Sequence, residues 1–382
     1  MMKLGICTLV PYDNYGGILQ GYALQTTLEN LGHEAYIMNT KLYNYISWKR
    51  KIINIVKWKI HRMCFSKDVP CINIYKYQSY RVKTILPFIK KWIKLTRAFT
   101  SVQDIYNFEE KEKFDGFVVG SDQVWRPRYS PDLFHMFLDF LPEKSPKKRI
   151  AYAASFGIDQ NPFTQQQLDV CKKLVQRFDA VSVREQSGVN LCKTLFGIDA
   201  QWVLDPTMLL SKEDYLKLIE GYQPVYKNIE LLQYVFFFDH DEKFIIDKVS
   251  KLLKLTPSNL MTKRFLNQVY SKDQLREAVF LPVEEWIYAY SHAKFVITDS
   301  FHGTVFCLIF NVPFIVVSPE APTRIKSLLS LFNLTERLVV DKKEITESLI
   351  NGKINWSFVN SKVHDLKKKS LTFLTNSLEC NE

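Results

Sequence analysis

K-F-V-I-T-D-S-F-H-G-T-V-F-C-L-I-F-N-V-P-F-I-V-V, from Lys294 to Val317, is the stretch that decides the fold. Phe295 to Thr298 is a short run of β-branched and aromatic residues, the pattern of a buried strand. It breaks at Asp299 and Ser300, residue types that cap helices by accepting from orphan N–H groups. Val305, Leu308 and Ile309 then recur at helical spacing, and Asn311 with Pro313 stops the helix. Phe314 to Val317 supplies the next strand. Strand, polar turn, short helix and strand form the core of a parallel α/β unit.

Polar residues at the carboxyl end of such a strand face the ligand crevice. His302 falls there, at a helix N-terminus whose free N–H groups and dipole favour an anion. Gly303 permits close approach to the backbone. A lone His in this place can also do no more than close the turn. With Asp299, Ser300, His302 and Gly303 gathered behind one apolar strand, the pattern favours a site.

T-D-S-F-H-G-T-V-F, the apolar helix and N-V-P-F-I-V-V together resemble the C-terminal signature of the polysaccharide pyruvyl transferase family. The resemblance extends over most of the chain. It implies a two-domain, GT-B-like enzyme that moves pyruvate from phosphoenolpyruvate onto sugar hydroxyls. Many members carry Arg two residues before the His. This chain has Ser300, so a phosphate-binding Arg has to come from elsewhere.

A chain of 382 residues, 47% of them hydrophobic, is long enough to bury two cores. The seven cysteines (7, 64, 71, 171, 192, 307, 380) form no C-x-x-C pair and no metal spacing with His, which predicts reduced thiols in a cytosolic protein. The longest nearly uncharged run, Gly303 to Ser318, is broken by Asn311 and Pro313 and is too short for a membrane span. The apolar N-terminus stops at Pro11 without a cleavage site and reads as a first strand. Of the net charge of +11, the segment Lys41 to Arg97 carries +14, so the remainder is −3. The basicity belongs to one insertion.

Taken in order, Lys3 to Val10 reads as a strand, Pro11 to Gly17 as a turn, Ile18 to Leu31 as a helix and Ala35 to Met38 as a strand. The family has a Gly-Asn-x-Gly-Asp turn here; Asn14 and Gly16 match it, and Gly17 replaces the Asp. Residues 49–62, with Ile52, Ile53, Val56, Trp58 and Ile60 among cations, form a plausible amphipathic helix, and P-F-I-K-K-W-I-K-L follows at 87–95. Such segments suit an anionic lipid surface; they suit equally a helical insertion with solvated lysines. No nucleic-acid-binding motif accompanies the charge.

Phe114 to Val119 is an apolar strand running into Gly120-Ser121-Asp122-Gln123, where Asp122 serves either the site or only the turn. Ile150 to Ala154 opens into Ser155-Phe156-Gly157, and Ala180 to Val183 into Arg184-Glu185. The family has an Arg-Asp or Arg-Glu pair at this last place, whose Arg contacts the donor anion; pairing of Arg184 with Glu185 or a nearby acid is the alternative. Gln201 to Thr207 is the last strand of the first domain and the hinge, and Ser211 with Asp214 resembles a capping box. Glu230 to Phe238, residues 240–253 and residues 283–292 read as strand, helix and helix. Thr323 to Phe332 is a helix, residues 337–340 a strand and residues 357–379 a helix. Arg324 and Arg337 recur near the site in family members, or they pair with Glu320 and Glu336.

The expected architecture is α/β and GT-B-like, with two Rossmann-like domains facing a central cleft and a C-terminal helix crossing back. The domains run over 1–204 with a basic insertion at 41–110, over 205–356, and end in the helix at 357–382. His302 and Asp122 are the candidate catalytic residues. Arg184, Arg324, Arg337, Ser300 and Gly303 are expected at the donor, and Asp13, Asn14, Gly16 and Gln123 at the acceptor. Phosphoenolpyruvate is the expected donor and a sugar or lipid-linked oligosaccharide the acceptor, with no metal, cofactor or nucleic acid. The implied location is cytoplasmic, at the inner face of an anionic membrane. A nucleotide-sugar glycosyltransferase and a non-catalytic membrane- or polyanion-binding protein are the competing readings.

Overall fold

Leu4 to Cys7 is buried at every position, as a strand covered on both faces has to be. It belongs to β1 (Lys3–Cys7) of the computed structural model, which describes residues 1–9, 12–40, 56, 74–99, 102–130, 132–236, 240–262, 272–320 and 322–379. With β2 (Glu34–Ile37), β3 (Gly116–Val119), β4 (Lys148–Ala154), β5 (Ala180–Val183) and β6 (Gln201–Trp202) it makes a six-stranded parallel sheet in the order β2-β1-β3-β4-β5-β6. A second parallel sheet is built from β7 (Leu231–Tyr234), β8 (Pro257–Asn259), β9 (Phe295–Thr298), β10 (Phe314–Val317) and β11 (Leu338–Val339), in the order β11-β10-β9-β7-β8. The strand order reverses between β1 and β3 in one sheet and between β7 and β9 in the other. A ligand crevice opens outside the carboxyl ends at such points.

The helix Tyr15–Asn30 is buried on nearly all sides, which places it in a core and not on a surface. It lies at the joint between the domains. The Tyr15 ring stacks on Trp286 at 5.8 Å and meets Tyr234 and Phe280 of the second domain. The apolar core therefore runs unbroken from Leu4 and Ile18 through Tyr215 to Trp286 and Phe306. The last helix, Trp356–Leu378, crosses back onto the first domain. Ser370 Oγ accepts from the Leu204 amide at 3.0 Å, and Phe373 meets the Tyr152 ring.

Local boundaries shift for identifiable reasons. The first strand ends at Cys7, short of the expected Val10. The first helix starts at Tyr15 because Asn14 caps it, accepting from Gly16 N at 2.9 Å and Gly17 N at 3.3 Å. The Ser211–Asp214 capping box is formed. β8, Pro-Ser-Asn, carries no strand pattern; it is an edge strand held by β7 alone.

Apart from Val56, the helix expected within 49–62 lies outside the described residues. In the second basic stretch, the helix Leu86–Trp92 buries Phe88 and Ile89, with Tyr22 edge-on to Phe88 and Trp92, while Lys90 and Lys91 stay exposed. That stretch packs on its own domain. Cys7, Cys171, Cys192 and Cys307 are buried free thiols. Among the described residues no helix is long and apolar enough to cross a membrane.

Candidate active site

Each strand at the first switch point ends in a turn that hydrogen bonds lock to its neighbour. Gln20, from the helix behind β1, donates to Thr8 Oγ1 at 2.8 Å and accepts from the Ser121 amide at 3.1 Å. Gly120 has φ +124°, and a Cβ there would lie 2.1 Å from the Tyr152 carbonyl oxygen, so only glycine fits. Ser121 Oγ lies 3.1 Å from the carbonyl oxygen of Ala153, where β4 bulges. Asp122 follows at φ +73°, a left-handed conformation that Asp tolerates better than most residues. The turn aims its carboxylate at Arg184.

Arg184 leaves the end of β5 and is wholly buried. Nη2 donates to Asp122 at 2.8 Å, Nη1 donates to Asp205 at 2.9 Å, and Nε lies 3.8 Å from Glu185. Its guanidinium also lies 4.3 Å from the Phe301 ring centre. Burial, the largest single influence, pushes the Asp122 and Asp205 carboxyls up, but their partners together outweigh it and both stand below the ordinary carboxylate range: Arg184, His302 and Arg324 at Asp122, His302 ahead of Arg184 and Thr207 at Asp205. Glu185 goes the other way. Burial raises its carboxyl although Arg184, Ser155 Oγ and the amides of Phe156 and Gly157 favour the charged form.

The second domain adds its part from β9. Ser300 caps the helix Phe301–Phe310, its Oγ accepting from Gly303 N at 3.2 Å. His302, one turn in, is 6% exposed, with Nε2 3.6 Å from Asp205 Oδ2 and Nδ1 against Gly16. A Cβ on Gly16 would sit 2.2 Å from that nitrogen, so a glycine in the first domain makes room for the histidine of the second. Arg324 opens the helix Thr323–Leu331 with its Nε buried and lacking a hydrogen-bond partner. Burial and then the repulsion of Arg184 lower its proton affinity, while Asp122 and Glu185 support its charge.

The structure thus brings together His302, Asp122, Arg184, Arg324 and Gly16 from both domains. It places other expected residues differently. Arg337 is buried, but its guanidinium donates to the carbonyls of Leu349 at 3.0 Å and Gly352 at 2.6 Å, with Glu336 3.7 Å away. It finishes the helix Glu347–Asn351 and is not part of the cluster. The space over Gly303 is taken by Thr298 and Tyr290, so this glycine serves packing. Asn14 is spent as a helix cap, Asp13 is exposed on the rim, and Gln123 accepts from Arg126 at 2.8 Å and lies against Gly157. Asp205, read from sequence only as the opening of the hinge, is the residue that reasoning missed. Its one local signal was an acid three residues past the last strand of the first sheet.

UDP-GlcNAc 2-epimerase from Methanocaldococcus jannaschii superposes with a TM-score of 0.54 at 13% identity, covering 98% of this chain and 100% of that chain. The S. aureus MnaA-UDP co-structure gives 0.50 at 12% identity, covering 96% and 91%. At such identities the likeness shows the fold alone, a GT-B-like pair of Rossmann-like domains. No curated protein matches the chain by sequence. The family description "Polysaccharide pyruvyl transferase" matches residues 14–320, a span that takes in every member of the cluster from Gly16 to His302 and leaves out only Arg324. The chain belongs to the polysaccharide pyruvyl transferase family.

Proposed function

We propose that the protein transfers the pyruvyl group of phosphoenolpyruvate to sugar hydroxyls of a polysaccharide or its lipid-linked precursor, forming a pyruvyl ketal. The observation that carries this reading is a buried histidine, the buried Arg184 and the half-buried Arg324 gathered around Asp122 and Asp205 at the joint of the two domains. An acceptor hydroxyl would bond through its oxygen to C2 of the donor while C3 takes a proton and becomes a methyl group. The C2–O bond to phosphate then breaks, the first hydroxyl's proton leaving with the phosphate, and a second hydroxyl bonds to C2 as it loses its proton. His302 suits this traffic, because one group has to give and take protons near neutral pH.

Asp122, held ionised by Arg184, is a weak base and serves to fix the guanidinium groups. Arg184 already spends both Nη atoms on carboxylates. The donor's phosphate and carboxylate therefore fall chiefly to Arg324, which stands in for the Arg absent at Ser300. The acceptor enters along the exposed Asp13–Asn14 rim.

The test is phosphate release from phosphoenolpyruvate across a panel of sugar and lipid-linked acceptors, with nucleotide sugars offered in parallel. Release with at least one acceptor, cut roughly 10²–10⁴-fold in kcat by His302→Ala, is the expected result. Consumption of a nucleotide sugar with no phosphate release would make this a glycosyltransferase instead. The charge of residues 41–97 supports a further part of the reading, that the enzyme sits on the anionic surface where a lipid-linked acceptor lies. Co-sedimentation with anionic vesicles should then fall steeply with salt, and equal binding to neutral vesicles would exclude the electrostatic account.

A further inference from the structure

Asp205 stands three residues past the last strand of the first sheet and caps the turn Pro206–Leu209 where the chain enters the hinge. Its carboxylate holds groups from both sides of the joint. Oδ1 accepts from the Thr207 amide at 3.1 Å and from its hydroxyl at 2.7 Å. Oδ2 accepts from Ser121 Oγ at 3.0 Å and Arg184 Nη1 at 2.9 Å, and it faces His302 Nε2 at 3.6 Å. Nε2 is buried and makes no hydrogen bond, so Asp205 is its only acidic neighbour within ion-pair distance among the described residues. Four hydrogen bonds to two carboxylate oxygens leave Asp205 no freedom to swing away.

We propose that Asp205 is the positioning residue of His302. It keeps a proton on Nε2, supports the imidazolium form, and leaves Nδ1, beside Gly16, as the nitrogen that exchanges protons with substrate. This rests on the reading of His302 as the acid/base group. Nδ1–H gives its proton to the donor methylene and keeps the electron pair. The same lone pair later takes the proton of the closing hydroxyl, and Asp205 stays ionised throughout. The physical reason is that a buried imidazolium without a counter-charge is costly, and a fixed carboxylate both lowers that cost and selects one tautomer. Because His302 comes from the second domain, Arg184 and Ser121 from the first, and Asp205 from the hinge, the pair exists only while the domains are joined as they are here.

The rival role for Asp205 is a mere counter-charge to Arg184, and the tautomer of His302 separates the two. The charged groups around the ring are Asp205 from the hinge and Asp122 from the turn after β3, with Arg184 bonded to both. Arg324 also acts on Asp122. In the full chain with 15N-labelled histidine, assigned by difference with His302→Gln, the wild-type ring should carry its neutral-pH proton on Nε2. Asp205→Asn keeps the size and the Thr207 contacts but turns an amide N–H toward the ring, so the neutral-pH proton should move from Nε2 to Nδ1. On phosphate release it should cost roughly 10- to 100-fold in kcat, as loss of an orienting partner does, with little change in the KM for phosphoenolpyruvate. The Asp205→Asn/His302→Gln double variant should be no slower than His302→Gln. A wild-type ring protonated on Nδ1 overturns the proposal without any variant. So does a neutral-pH proton that stays on Nε2 in folded Asp205→Asn, or a double variant whose losses multiply. The 15N measurement needs no donor, so it stands even if phosphoenolpyruvate proves to be the wrong one.

Discussion

Arg184 and Arg337 are both buried arginines beside a strand, and they do unrelated things. Arg184 follows β5 and so lies at a carboxyl end, where Asp122, Asp205 and Glu185 converge on it. Arg337 precedes β11 and so lies at an amino end, where it meets the carbonyls of Leu349 and Gly352. The crevice of a parallel α/β sheet opens at carboxyl ends only. Which end of the strand an arginine occupies therefore separates a charge belonging to the site from one belonging to the scaffold. Arg324 passes the same test, since it lies beyond β10 on the carboxyl side.

The sharpest way to break this contrast is to delete Arg184. Arg184→Ala leaves three buried carboxylates without their cation, and removing one partner of a buried ion pair costs about 3–5 kcal/mol. The pH sign follows from the shifts. Asp122 and Asp205 are depressed in the folded wild type, so their share of stability is present above roughly pH 4, their unfolded range, and is lost as pH falls through the lower folded values. Without Arg184 the same carboxyls rise above their unfolded values, and the penalty eases on acidification. Thermal unfolding of the variant should trail the wild type most near pH 7 and least near pH 5, both taken as about those values. A deficit that grows toward acid would show that Arg184 is not their counter-charge. Arg184→Lys should recover only part, lacking the planar fork.

Arg324 should behave differently, because its Nε holds no hydrogen bond that the fold depends on. Losing one charge-assisted contact to a bound anion costs about 1.5–3 kcal/mol, which is roughly a ten- to hundredfold rise in KM. Arg324→Ala should show that rise for phosphoenolpyruvate with the melting temperature nearly unchanged. A normal KM would move the donor anion to another part of the cleft.

Much of this was legible in the sequence, and the rest was hidden for physical reasons. Phe295–Thr298, Phe314–Val317 and the helices at 240–253 and 283–292 form where the apolar pattern placed them, since each is decided by burial of local side chains. β8 was not legible, because an edge strand of Pro-Ser-Asn owes its form to β7 and not to its own residues. In the cluster, His302, Asp122 and Arg184 follow from their places after inner strands. The contact of Asp205 with Ser121, Arg184 and His302 joins residues far apart in the chain, which no local spacing encodes. Arg337, expected at the donor, bonds elsewhere: a residue that enters a strand stands at its amino end, away from the crevice, and the sequence already placed it there.

The smallest effect belongs to Arg337, and it tests the end-of-strand rule most directly. Nη1 and Nη2 donate to two carbonyls at the close of the helix Glu347–Asn351, and the Glu336 contact at 3.7 Å is too long for a hydrogen bond. Gly352 is exposed, so water can replace the guanidinium on at least one carbonyl when the side chain is removed. That puts the loss for Arg337→Ala near the low end for a charged hydrogen bond, about 1.5 kcal/mol of stability. Arg337→Lys can reach one carbonyl and should recover about half. Neither change alters the charge near Asp122, Arg324 or His302, so the KM for phosphoenolpyruvate should stay within about twofold of wild type in both, less than 0.5 kcal/mol at about 1.4 kcal/mol per decade. The measurement is paired, melting temperature beside donor KM on the same preparations. A tenfold rise in KM with unchanged melting would place Arg337 in the donor site despite its amino-end position, and the contrast with Arg184 would fail.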